Sequence, residues 1–197
     1  MPTGVAIRDV RRQLFGAAER VLLRGGPNAL TSREVTTEAG CAKGVLHRHF
    51  ADFDTFLAEL VRDRMGRIDD QAAALRDRAG SGTVVDNLAG ALTDLFGPVT
   101  VGIVNLVVSR DELRGRLRRT TPTGIPVLTE ATAMIASYLV AERDLGRIAA
   151  DADIDTLSPM LIGSGHLLFA DRQATAPEPT AVRKTVSAVV SGVLRQP

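Results

Sequence analysis

The first fifty residues hold eight cations, Arg8, Arg11, Arg12, Arg20, Arg24, Arg33, Lys43 and Arg48, against four carboxylates, Asp9, Glu19, Glu34 and Glu38. The remaining residues carry a net charge of −3, so a formal total of only +1 hides a basic end. Cations clustered at one end of a nearly neutral chain are the footprint expected of a surface that meets phosphate. A second cluster, Arg110, Arg114, Arg116, Arg118 and Arg119 against Asp111 and Glu112, reads first as a solvated helix end. A doorway for an anionic ligand or an auxiliary nucleic-acid contact is the alternative there. His47, His49 and Cys41 invite a metal reading, but histidines at i and i+2 of a helix point about 200° apart. Neither Cys41 nor His166 stands at a recognised ligand spacing, so no metal site is expected. Cys41 at a helix N-terminus is a small core residue in one reading and an oxidant-sensing thiol in the other. The chain shows no paired carboxylates at a convincing spacing, no nucleophile elbow and no phosphate loop. Catalytic residues, enzymatic activity and a cofactor are therefore not expected.

The elements that would position the basic end are helical. From Ile7 to Leu23 apolar residues recur at steps of three and four, giving one buried stripe, and Gly25, Gly26 and Pro27 end that helix. Thr31 can cap a short second helix, with Glu34 in the capping-box position, and Gly40 closes it. A third short segment runs from Ala42 to Phe50. Thr31 to Ala39, the turn Gly40 to Ala42 and Lys43 to Phe50 thus have the organisation of a helix-turn-helix, whose second helix lies in the major groove.

Further helices are predicted over Asp54 to Arg78, capped by Asp52 or Asp54, Thr83 to Phe96, Val99 to about Arg118, and Val127 to Arg143. Two more run from Ile154 to Arg172, capped by Asp153, and from Thr180 to Leu194. Thr120 to Pro126 reads as a loop. No period-two run flanked by hairpin turns appears, so the expectation is an all-α fold of about nine helices without a sheet.

Composition bounds the class. With 45% hydrophobic and 24% charged residues the 197-residue chain is an ordinary globular protein rather than a disordered one. Aromatics at 4% and the absence of Trp leave little for a base-stacking platform. The longest mainly apolar stretch, Val99 to Val108, is too short to cross a bilayer, so no membrane partner is expected. The single Cys41 and the lack of a signal segment place the chain in the cytoplasm.

The run L-T-x-x-x-V-x-x-x-A-G-x-x-x-G-x-L-x-x-H-F, Leu30 to Phe50, resembles the DNA-binding segment of the tetracycline-repressor (TetR) family of transcriptional regulators. Asp144 to Ile148, followed by Asp151 to Asp155, is similar to the connection before that family's first dimerisation helix. The resemblance implies an N-terminal three-helix DNA-binding domain, residues 1–52, and an effector-binding and dimerisation domain, residues 53–197. It implies a homodimer on a double-stranded DNA operator, released by a small-molecule effector. Position by position, it places Thr31 and Arg33 on backbone phosphates and has Lys43 and Gly44 open the reading helix. Val45 and Arg48 are the candidates for base edges, through a thymine methyl and through guanine, and His47 and His49 would donate to phosphate. Phe50 is a core anchor. Three departures stand out. Gly40-Cys41-Ala42 replaces the usual G-V-S, which removes the side-chain N-cap of the reading helix, a cost of about 1 kcal/mol. Phe53 stands where a phosphate-binding Lys is usual, which implies either a modest DNA affinity or contacts redistributed to Arg8, Arg11 and Arg12, and Thr36 replaces Ala.

For the second domain the apolar faces suggest an effector pocket of Phe96, Val104, Val108, Met134, Tyr138, Met160 and His166, although such stripes also read as plain core. Leu161 and Leu168 with Val182, Val186, Val189 and Val193 are the expected dimer interface, a four-helix bundle across a two-fold axis. The alternative class is a helical binding protein or enzyme without specific DNA binding. A constitutive DNA-binding protein without an effector is a third possibility.

Overall fold

The computed structural model describes residues 4–119, 121–170 and 176–195, with side chains from Val10 onward. Thr120, Arg172 and the side chain of Arg8, all invoked above, lie outside the described residues. Among the described residues there are ten helices: α1 (Gly4–Ala29), α2 (Ser32–Glu38), α3 (Gly44–His49), α4 (Phe53–Arg76), α5 (Val84–Leu95), α6 (Pro98–Ser109), α7 (Asp111–Leu117), α8 (Leu128–Asp144), α9 (Ile154–Phe169) and α10 (Pro179–Val190). Extended pairing among the described residues is limited to one isolated bridge, Ile148 with Leu194. The all-α expectation holds, and the count rises from nine to ten because the helix predicted from Val99 to Arg118 breaks at Arg110. That residue is extended, with φ −126° and ψ 102°. At the end of α1, Gly26 adopts φ 72°, a kink where Gly-Gly-Pro was expected to stop the helix.

The chain divides into two compact units, residues 1–63 with 102–125 and residues 64–101 with 126–197. The first unit is held by aromatic packing. Phe15, Phe50 and Phe56 meet pairwise at centroid distances of 5.9, 5.6 and 5.0 Å, and Leu14, Leu22, Leu46 and Leu57 are buried around them. Three residues of α1 tie it to the end of α2: Gln13 Nε2 donates to Ala39 O at 2.8 Å, while Arg20 and Arg24 reach the Glu38 carboxylate at 2.7 and 2.9 Å. These two guanidinium hydrogen bonds hold the Glu38 carboxyl below the usual range.

In the second unit α8 packs on α9, and α10 packs on both α5 and α9. Small residues permit the close approach: a Cβ on Gly165 would lie 2.8 Å from the Phe96 ring. The unit also buries a polar network. Tyr138 donates to Glu142 Oε1 at 2.5 Å, Asn87 Nδ2 donates to Tyr138 Oη at 3.0 Å and to Ser81 O at 2.8 Å, and Arg147 approaches Glu142 Oε2 at 3.2 Å. Arg147 Nη2 also donates to Gly82 O at 2.6 Å. Buried polar groups persist where partners replace water, and here the partners tie α8 to the 80–82 loop and to α5. Burial, reinforced by the hydrogen bond to Glu142, drives the Tyr138 phenol far above its ordinary pKa.

The caps follow the sequence. Thr31 Oγ1 accepts from Glu34 N at 3.2 Å, and Asp153 Oδ1 accepts from Thr156 N at 3.1 Å. Of the two candidates for α4, Asp52 is the one that caps, accepting from Thr55 N at 2.6 Å.

Candidate nucleic-acid interface

A helix-turn-helix needs a tight reversal after its first helix, and Gly40 supplies it with φ 65°. Gly40 N and Cys41 N donate to Thr37 O and Thr36 O, each at 3.0 Å, which closes the last turn of α2. Thr36 is buried, and its hydroxyl is satisfied by Ser32 O at 3.0 Å and Arg33 O at 3.1 Å. The replacement of Ala by Thr is accommodated in that way. Leu46 on α3 is fully buried, and Phe50 ends the helix in an extended conformation with its ring inside. One side of α3 is thus fixed and the other presented.

The residues expected to contact DNA differ in how far they are presented. Thr31, Arg33, Lys43, Gly44, His47 and Arg48 are exposed, and Val45 and His49 are half-buried. Lys43 already has helical dihedrals and makes no side-chain cap, and Val45 N donates to Ala42 O at 2.9 Å. The capping position therefore falls on Ala42, which has no oxygen to offer. Ala42→Ser should restore that bond and stabilise the chain by about 1 kcal/mol, read as a rise in thermal midpoint with an unchanged helical signal.

The eight cations of the first fifty residues divide by use. Arg20 and Arg24 are spent on Glu38. Arg11, expected among the redistributed phosphate contacts, pairs with Glu59, lies 4.5 Å above the Phe50 ring and donates to His49 O at 3.4 Å. Its charge is engaged inside the unit, whereas Arg12, Arg33, Lys43 and Arg48 are exposed and form no ion pair among the described residues. Phe53 packs in near-parallel fashion on Phe56, with centroids 5.6 Å apart, so this position contributes to the core. Cys41 is half-buried, in the middle of the 40–42 turn.

The second unit gives less. Of the seven residues grouped as an effector pocket, Val104 and Val108 fall in the first unit and the other five in the second. Val108 and Met160 are 48% and 49% exposed, and Tyr138 is consumed by the buried network. Phe96 and His166 do meet, with ring centroids 5.9 Å apart, and Phe169 stacks on Phe96 at 6.0 Å. The His166 Nε2 is buried without a hydrogen-bond partner, and burial lowers its pKa. Met134 instead lines a cleft of about 60 Å³ with Gln71, Ala74, Leu75, Arg78, Ala91 and Asp94. None of those six residues was singled out from the sequence, because isolated polar and alanine positions on helices carry no spacing signal.

The expected interface residues are also divided. Leu161, Val182 and Val186 are buried inside the chain's own core, where α10 meets α5 and α9, while Leu168, Val189 and Val193 are half-buried. The apolar residues that α9 leaves outside are Met160 and Leu167, the latter 79% exposed, with Gly163 between them on the same face.

Residues 14–60 match the family of bacterial regulatory proteins of the tetR type. The resemblance read from Leu30 to Phe50 is borne out, and the helix-turn-helix is of that family's kind. No curated protein matches the sequence. Solved structures share the whole fold. A Mesorhizobium loti protein classed as a tetR-family transcriptional regulator is 17% identical, with a TM-score of 0.70 over 94% of this chain and 95% of that one. The fatty acid degradation regulator FadR of Bacillus halodurans is 17% identical, with a TM-score of 0.71 over 92% and 95%. The regulator FadR of Bacillus subtilis, solved with stearoyl-CoA, is 19% identical, with a TM-score of 0.66 over 92% and 98%. The chain has the fold of these regulators.

Proposed function

From a helix-turn-helix of the tetR-family kind on a regulator's fold, we propose that this protein is a homodimeric, sequence-specific DNA-binding transcriptional repressor. A small-molecule effector releases it from a near-palindromic operator. The observation that carries the reading is the face of α3: Lys43, Gly44, His47 and Arg48 exposed together, unpaired among the described residues, on a helix anchored from behind by Leu46 and Phe50. Arg48 reads guanine and Val45 a thymine methyl. Thr31, Arg33, Lys43, His47 and His49 hold phosphates and set the register. DNA binding belongs to residues 1–52, and effector binding and dimerisation to residues 53–197, with the cytoplasm as the compartment.

Dimerisation uses α9 and α10. The apolar face that supports it is Met160, Gly163 and Leu167 on α9, because these residues are left uncovered while the valines of α10 are used within the chain. Two copies related by a two-fold axis would bury that face. Two reading helices then enter successive major grooves about 34–36 Å apart. An effector that binds better to a dimer with its reading helices spread apart shifts the population and weakens DNA binding. The long α4, which follows directly on the reading segment, is the lever.

Sedimentation at micromolar concentration should give twice the 21.0 kDa chain mass. A monomer there removes the dimer from this reading. Fragments of the source genome selected by the protein should share an inverted repeat with that half-site spacing. Failure to enrich any site with refolded, ligand-free protein would favour a helical binding protein without specific DNA recognition.

A further inference from the structure

Arg110 breaks the long apolar segment into α6 and α7, and its half-buried guanidinium is used within the first unit. Nη2 donates to Pro27 O at 3.2 Å and to Leu30 O at 2.9 Å. The guanidinium carbon lies 6.0 Å from the centre of the Phe53 ring. The two carbonyls stand at the end of α1 and immediately before Thr31, the N-cap of α2. Phe53 opens α4, just past the end of α3. One side chain thereby touches both the entry to the helix-turn-helix and its exit. Carbonyls at a helix C-terminus lack intrahelical donors, and a cation there also meets the negative end of the helix dipole.

Arg116 on α7 makes the matching contact at the exit. Its Nη1 donates to Thr55 Oγ1 at 3.1 Å and its Nη2 approaches Asp52 Oδ2 at 3.2 Å. Asp52 is itself the cap of α4, and the backbone N–H of Thr55 holds its carboxyl below the usual range. Of the second arginine cluster, two members are therefore fasteners of the segments that flank α2 and α3. Gly26, immediately before the Arg110 contacts begin, has the left-handed φ of a kink, so the 27–31 segment has no continuous helix to fix its direction.

We propose that Arg110 is a positioning residue for DNA recognition: it fixes the 27–31 segment and so sets the attitude of α2 and α3, while Arg116 secures the 52–55 segment. The proposal rests on the DNA-binding reading above. Base contacts must be held within about 0.5 Å and 10–20° of their productive geometry. Phosphate attraction is far less directional, so loosening the entry segment penalises recognition of the operator more than binding to arbitrary DNA.

The test uses the full chain with Arg110→Met, which keeps the apolar stem over Phe53 and removes the donors, and Arg110→Lys, which keeps a cation able to donate. Anisotropy on a selected operator and on a scrambled duplex should show operator affinity falling about tenfold in Arg110→Met, the scale of one charged hydrogen bond. Scrambled-duplex affinity should stay within about twofold of the parent, since no phosphate contact is lost. Arg110→Lys should recover most of the operator-to-scrambled ratio. Amides of residues 31–49 should exchange faster with solvent in the methionine variant, and those of α8 and α9 should not. Arg110→Leu, which also lacks any donor, carries the same expectation and serves if the methionine variant does not fold. An unchanged ratio in Arg110→Met, or an equal loss in the lysine and methionine variants, overturns the proposal. If the parent itself prefers no duplex, the DNA-binding reading fails instead. The exchange data then decide the positioning role alone: faster exchange restored by lysine supports it, and unchanged exchange refutes it.

Discussion

Arg48→Ala should flatten sequence preference at one base pair per half-site while leaving the protein on DNA. A bidentate arginine on guanine contributes about 1–3 kcal/mol of discrimination, which is roughly 5- to 150-fold in relative affinity. Arg48 is exposed on α3 and engaged by no carboxylate among the described residues, so its removal leaves no buried charge behind. The chain's thermal midpoint should therefore barely move. His49→Ala should behave differently, weakening every duplex by a similar factor, because contacts to phosphate position the protein without reading sequence. Competition by duplexes substituted one pair at a time separates the two results. If both variants weaken all duplexes alike, Arg48 is a phosphate contact and the reading of α3 is wrong in its central residue.

Glu142→Ala should be the more damaging change, and its damage should fall on stability. Glu142 is 0% exposed and receives the Tyr138 hydroxyl, Arg147 and the Gly80 amide at 3.4 Å. Removing one member of a buried charged pair costs about 3–5 kcal/mol, because the partner is left without compensation. Here the Tyr138 hydroxyl, buried and with its ionisation suppressed, loses its acceptor as well. Arg147→Met should cost on the same scale by leaving the buried carboxylate with only the neutral Tyr138 and Gly80 donors. The double variant Glu142→Ala with Arg147→Met should cost less than the sum, since neither charge remains. Denaturant unfolding of the four proteins checks this. Strictly additive losses would mean that the two side chains act independently and that the network does not brace the 80–82 loop.

The first unit was legible in the sequence for a physical reason. Thr31, Gly40 and Phe50 each do a job that few residue types can do, namely capping, reversing the chain and plugging an aromatic core, and they do it at fixed spacing. Arg110 was not legible as a break, since arginine is a good helix former and the apolar pattern runs to its edge. What interrupts the helix is a tertiary bond, from its guanidinium to carbonyls eighty residues earlier in the chain. Charge counting likewise found the basic end but could not tell Arg11, engaged with Glu59 and Phe50, from Arg12 beside it, which faces solvent.

The second unit was harder because apolar stripes do not say what covers them. Val182 and Val186 have the spacing of an interface, yet the chain covers them itself with α5 and α9. Tyr138 and Met134 share a helical face at i and i+4. One ends in a buried hydrogen-bond network and the other on a small cleft, a distinction set by Asn87 and Glu142 across the fold.

The most direct measurement is fluorescence anisotropy of the purified protein on a selected inverted repeat and on its scrambled counterpart, at several salt concentrations. The account predicts nanomolar binding to the repeat, at least about a thousandfold tighter than to the scrambled duplex, with log affinity falling linearly against log salt for both. Equal affinity for the two duplexes at every salt concentration would contradict it.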